Sequence, residues 1–197
     1  MLWKKKVRIL SKHPIEKSGP GNNVWYWEYP IENYTFDNEA AQRELGLDPT
    51  YKHVLNVGLF SPGKNQGEIF AIATQLEKYK IKFHFVGNQA MNFEDYWKPL
   101  MDFKPKNCIV WGERDDTDMF YKACDLFYFS STLELNPLSI KEALSYGLPS
   151  IFRRLHTFLD TYDNTDLVTY IDNDIHNTKN LLLETLQPEF NEIPGWF

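Results

Sequence analysis

Two glutamates, Glu134 and Glu142, flank the predicted start of a helix and are separated by seven residues. Asparagine is a good N-cap, proline fits the first helical position, and the residue before a proline resists α geometry. The pair Asn136-Pro137 therefore predicts a helix that opens at Pro137. The amides of residues 138–140 would lack partners within the helix, and the helix dipole at this end favours negative charge. The segment thus predicts an anion site between two carboxylates.

A diphosphate at this helix start would suit the two glutamates. It would leave a ribose on one side and a hexose on the other, and both carry hydroxyl groups that donate to carboxylates. Gly147 in a left-handed conformation, followed by Pro149, predicts where the helix ends. The same local pattern also fits an ordinary capped helix with Glu142 exposed to solvent.

The loop from Gly58 to Asn65 matches most of the phosphate-binding pattern GxxxxGK[ST]. Asn65 replaces the hydroxyl residue that would hold magnesium, and Pro62 removes one of the backbone N–H groups that the phosphate cradle needs. We therefore reject a nucleoside triphosphatase site. Lys64 remains at a helix start, where one charge pair with phosphate is worth about 4 kcal/mol before desolvation, against about 1 kcal/mol for the helix dipole. Lys64 is thus the predicted phosphate-binding residue.

The composition is that of one folded domain. Of 197 residues, 43% are hydrophobic, 16% aromatic and 24% charged, and no apolar run approaches the length of a bilayer span. The net charge of −6 and the lack of a long basic face argue against sequence-independent nucleic-acid binding. Two cysteines, Cys108 and Cys124, make no disulfide framework, which favours a reducing cytoplasm.

Short apolar strands alternate with amphipathic helices from residue 54 onward. This alternation predicts an α/β fold, a Rossmann-like doubly wound parallel sheet covered on both faces. The predicted strands are 54–57, 82–86, 108–111, 126–129, 150–152 and 167–171. The predicted helices are 65–79, 92–97, 116–124, 137–146 and 175–186. Asn65 with Glu68 reads as a capping box for the first helix, and Pro99 is expected to bend or stop the second.

Residues 1–53 show little of this alternation beyond a predicted strand at 7–10 and a helix at 38–45. We interpret 1–53 as a segment that packs on the domain and is a remnant of an interdomain linker, 54–186 as the ligand-binding domain, and 187–197 as a C-terminal tail. The cluster at 25–27, Trp-Tyr-Trp, fits either apolar packing of this segment onto the sheet or a carbohydrate-stacking platform, and packing is favoured.

Several short segments follow one another in a specific order. They are Val57-Gly58 with Lys64-Asn65, Phe85-Val86-Gly87, Ala123-Cys124-Asp125 leading to Ser130, the paired glutamates, and the run from Glu142 to Gly147-Leu148-Pro149. In order and spacing they resemble the C-terminal, donor-binding domain of retaining glycosyltransferases of the GT-B fold, family 4-like, in group 1. The resemblance spans roughly residues 30 to 185.

The resemblance implies a role for each predicted site residue. Lys64 and Glu134 would be catalytic, since Lys64 would stabilise the leaving nucleoside diphosphate and Glu134 would bind the transferred sugar. Glu142 would bind the donor ribose, the amides of 136–139 the diphosphate, and the loop 112–114 would approach the base. The residues expected to bind the nucleotide diphosphate sugar are Gly58, Ser61, Gly112, Arg114, Asn136, Pro137, Leu138, Ser139 and Glu142. Such enzymes usually need no metal, so neither a metal nor a resident cofactor is expected.

Leu59 departs from the family, which often has arginine directly after the first glycine, so Arg153 or Arg114 would have to substitute. The segment 172–174, Asp-Asn-Asp, resembles the DxD element of another glycosyltransferase class, which holds manganese. Its place between a strand and a helix favours capping, and no third ligand is evident. The histidines lack partners at motif spacing and receive no catalytic role.

GT-B enzymes hold the acceptor on a separate N-terminal domain, for which this chain has no room. Because positioning both reactants is a main source of rate, we expect the acceptor to be held by a missing N-terminal domain or a partner subunit, as in the two-subunit transferases of lipid-linked glycan synthesis. The alternative is a nucleotide-sugar-binding subunit or relic without turnover, which Leu59 and the short length favour. An epimerase or a phosphorylase of the same architecture is disfavoured, the latter because no pyridoxal-anchoring lysine is found.

Overall fold

The computed structural model describes residues 36–158, 162 and 165–190, together with the backbone of 7–9 and 24–26. The strands are β1 (Val7–Ile9), β2 (Val24–Tyr26), β3 (Lys52–Val57), β4 (Ile81–Val86), β5 (Cys108–Gly112), β6 (Leu126–Phe129), β7 (Ser150–Arg153) and β8 (Val168–Ile171). The α-helices are α1 (Asn38–Leu45), α2 (Gln66–Gln75), α3 (Glu94–Asp102), α4 (Thr117–Ala123), α5 (Leu138–Ser145) and α6 (Ile175–Leu186). Short 3-10 helices cover Met91–Phe93 and His156–Phe158.

The main sheet is parallel throughout and has the strand order β5-β4-β3-β6-β7-β8. The chain first winds outward from β3 to β5 and then returns to build β6 to β8 on the other side of β3. The crevice between the carboxyl ends of β3 and β6 is therefore the topological switch point, where open α/β sheets bind ligands. The strands β1 and β2 pair with each other in a separate two-stranded sheet.

Helices cover both faces of the main sheet, which confirms the predicted doubly wound α/β fold. One buried cluster joins the sheet to α2 and α6 and includes Ile69 and Leu182, while α3 packs against it. The second cluster joins the opposite face to α4 and α5 and includes Phe120 and Ile140. Burial of these apolar side chains is the main favourable contribution to folding.

Two local predictions differ from the structure. The helix α3 does not stop before Pro99 but runs through it to Asp102, although proline lacks an N–H donor. Trp97, Leu100 and Met101 pack against the core here, so burial outweighs the lost backbone hydrogen bond. The predicted capping box is also absent, because Asn65 takes a left-handed conformation with φ of 55° and its side chain caps no amide. The side chains of the cluster at 25–27 and residues 191–197 lie outside the described part of the chain, so their predicted roles stay predictions.

Candidate functional site

The loops that follow β3 and β6 are joined at the switch point by hydrogen bonds. The Ser130 hydroxyl donates to the Lys64 carbonyl at 2.8 Å. The Ser131 hydroxyl and the Thr132 amide both donate to the Gly63 carbonyl, at 3.1 and 3.0 Å. Each loop therefore holds the other in place, and the predicted phosphate residue is carried on a fixed backbone.

Lys64 and Glu134 meet at this junction. The Lys64 ammonium forms an ion pair with Glu134 Oε1, and the Ser131 hydroxyl donates to the same oxygen at 2.7 Å. The lysine Nζ also lies 5.0 Å from the centre of the Phe129 ring. Thr157 donates to the Glu134 carbonyl at 2.6 Å and fixes the glutamate backbone. The two residues expected to be catalytic are thus brought together, and their direct pairing is a feature that the sequence did not indicate.

Gly58 and Ser61 shape the loop beneath Lys64. A Cβ added to Gly58 would lie 3.6 Å from both Cδ and Cε of the lysine side chain, so the lysine runs along the glycine backbone. The Ser61 carbonyl accepts the amides of Lys64 and Asn65, at 3.0 and 3.2 Å. These contacts form the turn that leads into α2.

The helix α5 begins one residue later than the sequence predicted. Its N-cap is Pro137, with φ of −70° and ψ of 120°, and the first helical residue is Leu138, so Asn136 does not occupy the capping position. Proline has no side chain that can accept from an amide, and Pro137 makes no side-chain cap. The first turn, which includes Leu138 and Ser139, therefore receives no hydrogen bond from its N-cap side chain, as an anion site at this helix start requires.

Glu142 lies on α5 and is held by an aromatic pair. The hydroxyl of Tyr121, a buried residue of α4, donates to Glu142 Oε2 at 2.9 Å, and its ring stacks on Tyr146 at 5.8 Å. Burial, and next the negative charge of Glu142, raise the pKa of Tyr121 well above its ordinary value. The carboxylate is therefore only partly exposed and has a set direction, which differs from a freely solvated glutamate on a helix.

Gly112 and Arg114 lie at the carboxyl end of β5. The Gly112 carbonyl accepts the Gly87 amide at 2.8 Å. Arg114 donates to both carboxylate oxygens of Asp116, at 2.8 and 2.6 Å, and its guanidinium lies 5.8 Å from the Trp111 ring centre. The hydrogen bond from Arg114 lowers the pKa of Asp116. Arg114 is thus a fixed guanidinium within the β5–α4 connection.

Sequence reasoning missed a buried ion pair between Arg153 and Glu68, which belong to β7 and α2. The guanidinium also donates to the Ser130 carbonyl at 2.7 Å and to the Asn173 side chain at 2.6 Å. Arg153 is only 8% exposed, and its guanidinium is engaged by these three partners. The only available signal was its position at a strand end, because Glu68 lies 85 residues away along the chain.

Asp174 caps α6, because its carboxylate accepts the amides of His176 and Asn177 at 2.8 and 3.4 Å. Asp172 accepts the Asp174 amide at 2.8 Å. These contacts fit the capping interpretation of this acidic segment. The described residues contain no group of three or more His, Cys, Asp or Glu side chains that could hold a metal ion.

The doubly wound parallel sheet places the chain in the Rossmann-like class of α/β proteins, and the lysine–glutamate pair lies at the switch point of that sheet. The family model of glycosyl transferases group 1 matches residues 37–179, and the chain belongs to this family. Comparison with curated proteins gives no match.

Solved structures share the fold at low sequence identity. They include HepE of Anabaena in complex with UDP and glucose (TM-score 0.75, 18% identity, 91% of this chain and 54% of that chain). WaaG, a glycosyltransferase involved in lipopolysaccharide biosynthesis, gives a TM-score of 0.74 at 16% identity, over 94% of this chain and 55% of that chain. Sucrose-phosphate synthase of Thermosynechococcus elongatus gives a TM-score of 0.74 at 17% identity, over 91% of this chain and 48% of that chain. The chain therefore spans about half the length of these proteins.

Within the part of the chain that the structure describes, no helix has both the length and the apolar character needed to cross a bilayer.

Proposed function

We propose that this chain is the donor half of a retaining glycosyltransferase that binds a nucleotide diphosphate sugar and transfers its hexose. The observation that carries the proposal is the meeting of Lys64 and Glu134 at the switch point of the sheet, four residues before α5 begins. A UDP complex of HepE, which has the same fold, supports a nucleotide sugar as the ligand.

Each charged group has a distinct task in this proposal. The amides at the start of α5 bind the diphosphate, and Lys64 stabilises the negative charge that grows on it as the sugar departs. Glu134 accepts hydroxyl protons of the hexose, while Glu142, directed by Tyr121, accepts those of the ribose. Arg114 lies beside the base. Lysine and helix dipole offset the developing charge, so the proposed reaction needs no metal.

The acceptor is held, in this proposal, by an N-terminal domain or a separate subunit. Support comes from the length comparison, because the chain spans only 54% of HepE and 55% of WaaG. We place the protein in the cytoplasm, at a membrane only through such a partner. Its two cysteines are both free and buried, which fits a reducing compartment.

A second candidate is a nucleotide-sugar-binding subunit without turnover of its own. Leu59 favours it, because the position after the first loop glycine carries no cation. Arg153, which could have compensated, is occupied by its buried partners. Transfer to acceptor by the purified chain alone would exclude this candidate, whereas slow donor hydrolysis alone would not.

Calorimetric titration with UDP, GDP and ADP, and with their sugars, tests donor binding. We expect one nucleotide to bind, and Lys64→Ala to weaken it by about 1–3 kcal/mol, the value of a charged hydrogen bond. A matched control is Lys98→Ala, because Lys98 also pairs with a glutamate, Glu94 at 2.9 Å, but this pair is exposed on the solvent side of α3. Affinity that falls equally in both variants, or in neither, would remove Lys64 from the site.

A further inference from the structure

Arg153 is a buried cation whose hydrogen bonds lead to the backbone around Lys64. It ends β7, is 8% exposed, and is paired with Glu68, itself largely buried on α2. A buried charge is costly unless it is paired and fully hydrogen-bonded, so its partners determine where it lies. The planar guanidinium can bond in several fixed directions at once, which makes it suited to joining separate elements.

The first connection runs through Ser130. The Arg153 Nη1 donates to the Ser130 carbonyl at 2.7 Å. The hydroxyl of the same serine donates to the Lys64 carbonyl at 2.8 Å. One residue therefore links the guanidinium to the backbone of the lysine, and a shift of Ser130 moves Lys64.

The second connection runs through Glu68. Its Oε2 receives Arg153 and also accepts the Asn65 side-chain amide at 3.1 Å. Asn65 directly follows Lys64 and has φ of 55°, a left-handed conformation that is uncommon outside glycine. The carboxylate thus stabilises an unfavourable backbone conformation next to the lysine.

We propose that Arg153 is a positioning residue that sets the reach of Lys64 toward the bound diphosphate without contacting the ligand itself. The inference rests on the proposed function of Lys64. Lysine has a long flexible side chain, so its ammonium reaches a fixed point only if the backbone below it is fixed. Arg153 fixes that backbone from two sides, through Ser130 and through Glu68.

The test is a double-mutant cycle between Arg153→Lys and Lys64→Ala, read as the dissociation constant of whichever of UDP, GDP and ADP binds the wild-type chain most tightly. Arg153→Lys keeps the charge opposite Glu68 but loses the planar fork, and Arg153→Lys alone should weaken binding about five- to tenfold. In the Lys64→Ala background, Arg153→Lys should change the dissociation constant less than about twofold, because the ammonium that Arg153 positions is absent.

Two further variants complete the design. Ser130→Ala breaks the first connection while Glu68 keeps its partner, and it should show the same dependence on Lys64 even if Arg153→Lys folds poorly. Arg154→Lys is the matched control, because this neighbouring arginine is exposed and lies 4.2 Å from the Tyr170 ring centre; it should leave the dissociation constant unchanged.

The outcomes distinguish the positioning role of Arg153 from the proposed binding of a nucleotide donor. Equal weakening by Arg153→Lys in both backgrounds, or no weakening in the wild-type background, would overturn the positioning role and leave donor binding intact. Failure of the wild-type chain to bind any of the three nucleotides would overturn both. Melting temperatures of all variants show whether a lost affinity follows lost stability, which a merely structural role would predict.

Discussion

At the scale of single residues, Lys64 and Glu134 are assigned to different parts of one donor yet form an ion pair with each other. Both side chains are largely shielded, with exposed fractions of 27% and 14%. In the proposed function, the Glu134 carboxylate therefore competes with a bound diphosphate for the charge of Lys64. We expect the pair to lower the affinity for a nucleotide that lacks the sugar, because such a ligand gives Glu134 no hydroxyl groups in exchange.

This competition predicts that Glu134→Gln binds UDP more tightly than the wild type does. Removing the carboxylate charge frees Lys64, and we expect a gain of about 1 kcal/mol, roughly fivefold in the dissociation constant. The advantage of the UDP-sugar over UDP should shrink at the same time, because the amide replaces one acceptor oxygen with a donor and removes the charge that strengthens hydrogen bonds from the sugar. Calorimetry with both ligands measures the two effects, and weaker binding of UDP by the variant would show that the pair does not compete with the ligand.

Glu94→Gln is the control for this experiment. It removes the carboxylate from the exposed Lys98 pair on α3 and should leave both affinities at their wild-type values.

The sequence could predict Lys64, Glu134 and Glu142 because each belongs to a local pattern, a loop before a helix or a helix start. It could not predict the Arg153 network, since Glu68, Ser130 and Asn173 come together only when α2, β6 and β8 are packed around β7. Residues that pair across such long distances along the chain form no motif with a recognisable spacing.

At the scale of elements, the β3 and β4 loops touch through two glycines. A Cβ added to Gly87 would lie 2.1 Å from the Gly58 carbonyl oxygen, and Gly87 has φ of 149°. Backbone atoms cannot move away from such a contact as the end of a flexible side chain can. The observed conformation of the loop below Lys64 therefore requires glycine at position 87.

We therefore predict that Gly87→Ala lowers the free energy of unfolding by about 3 kcal/mol or more. Gly63→Ala is the matched control, because a Cβ there meets nothing within 4 Å, and a change of less than about 1 kcal/mol is expected. Urea titration of both variants gives the comparison. Equal stability of the two variants would mean that the loop accommodates the added methyl group.

A hydrogen-bonded chain crosses strands β3, β4 and β5. The Trp111 indole can only donate, so His84 Nδ1 accepts from it at 3.1 Å and His84 carries its proton on Nε2. That proton is donated to His53 Nδ1 at 2.9 Å, and His53 Nε2 donates to the Asp48 carbonyl at 3.0 Å. Each hydrogen bond thus determines which nitrogen of the next imidazole carries the proton, and both imidazoles are neutral.

Burial lowers the pKa of both histidines, to about 3 for His84 from an ordinary value of 6.5. Between the folded and unfolded pKa values, the unfolded chain binds more protons than the folded chain does. The contribution of the neutral histidines to the free energy of unfolding is therefore complete above about pH 6.5 and is lost as the pH falls toward 3. For His84 alone, we expect a loss of about 3 kcal/mol in the free energy of unfolding between pH 7 and pH 4.

His84→Asn should flatten this pH dependence, because its amide oxygen can still accept from Trp111 but cannot be protonated. Urea unfolding at pH 4, 5, 6 and 7 measures the slope. The exposed His176 supplies a control, since His176→Asn leaves the buried chain intact. The same slope in wild type and His84→Asn would show that the histidine does not cause it.

The elements themselves were largely predictable where the signals are local. The predicted limits of α1 are those observed, because Asp37 accepts the Ala40 amide at 3.1 Å and Gly46 takes the left-handed conformation with φ of 67°. Prediction failed for the end of α3, which continues past Pro99 because the helix packs on the core, and for the capping box, because Asn65 is left-handed and its side chain donates to Glu68 instead.

At the scale of the whole molecule, the chain matches about half of each neighbour named above. In the proposed function, the donor site lies on one domain, and rapid transfer requires that an acceptor be oriented against it. We therefore expect the chain to bind the donor alone and to need the acceptor half for transfer.

The position of a bound diphosphate tests this account most directly, through a crystal structure of the chain with UDP or with whichever nucleotide binds best. The diphosphate is predicted to lie against the amides of Leu138, Ser139 and Ile140, with the Lys64 ammonium turned from Glu134 onto phosphate. A diphosphate bound elsewhere, or bound while Lys64 remains paired with Glu134, would contradict it.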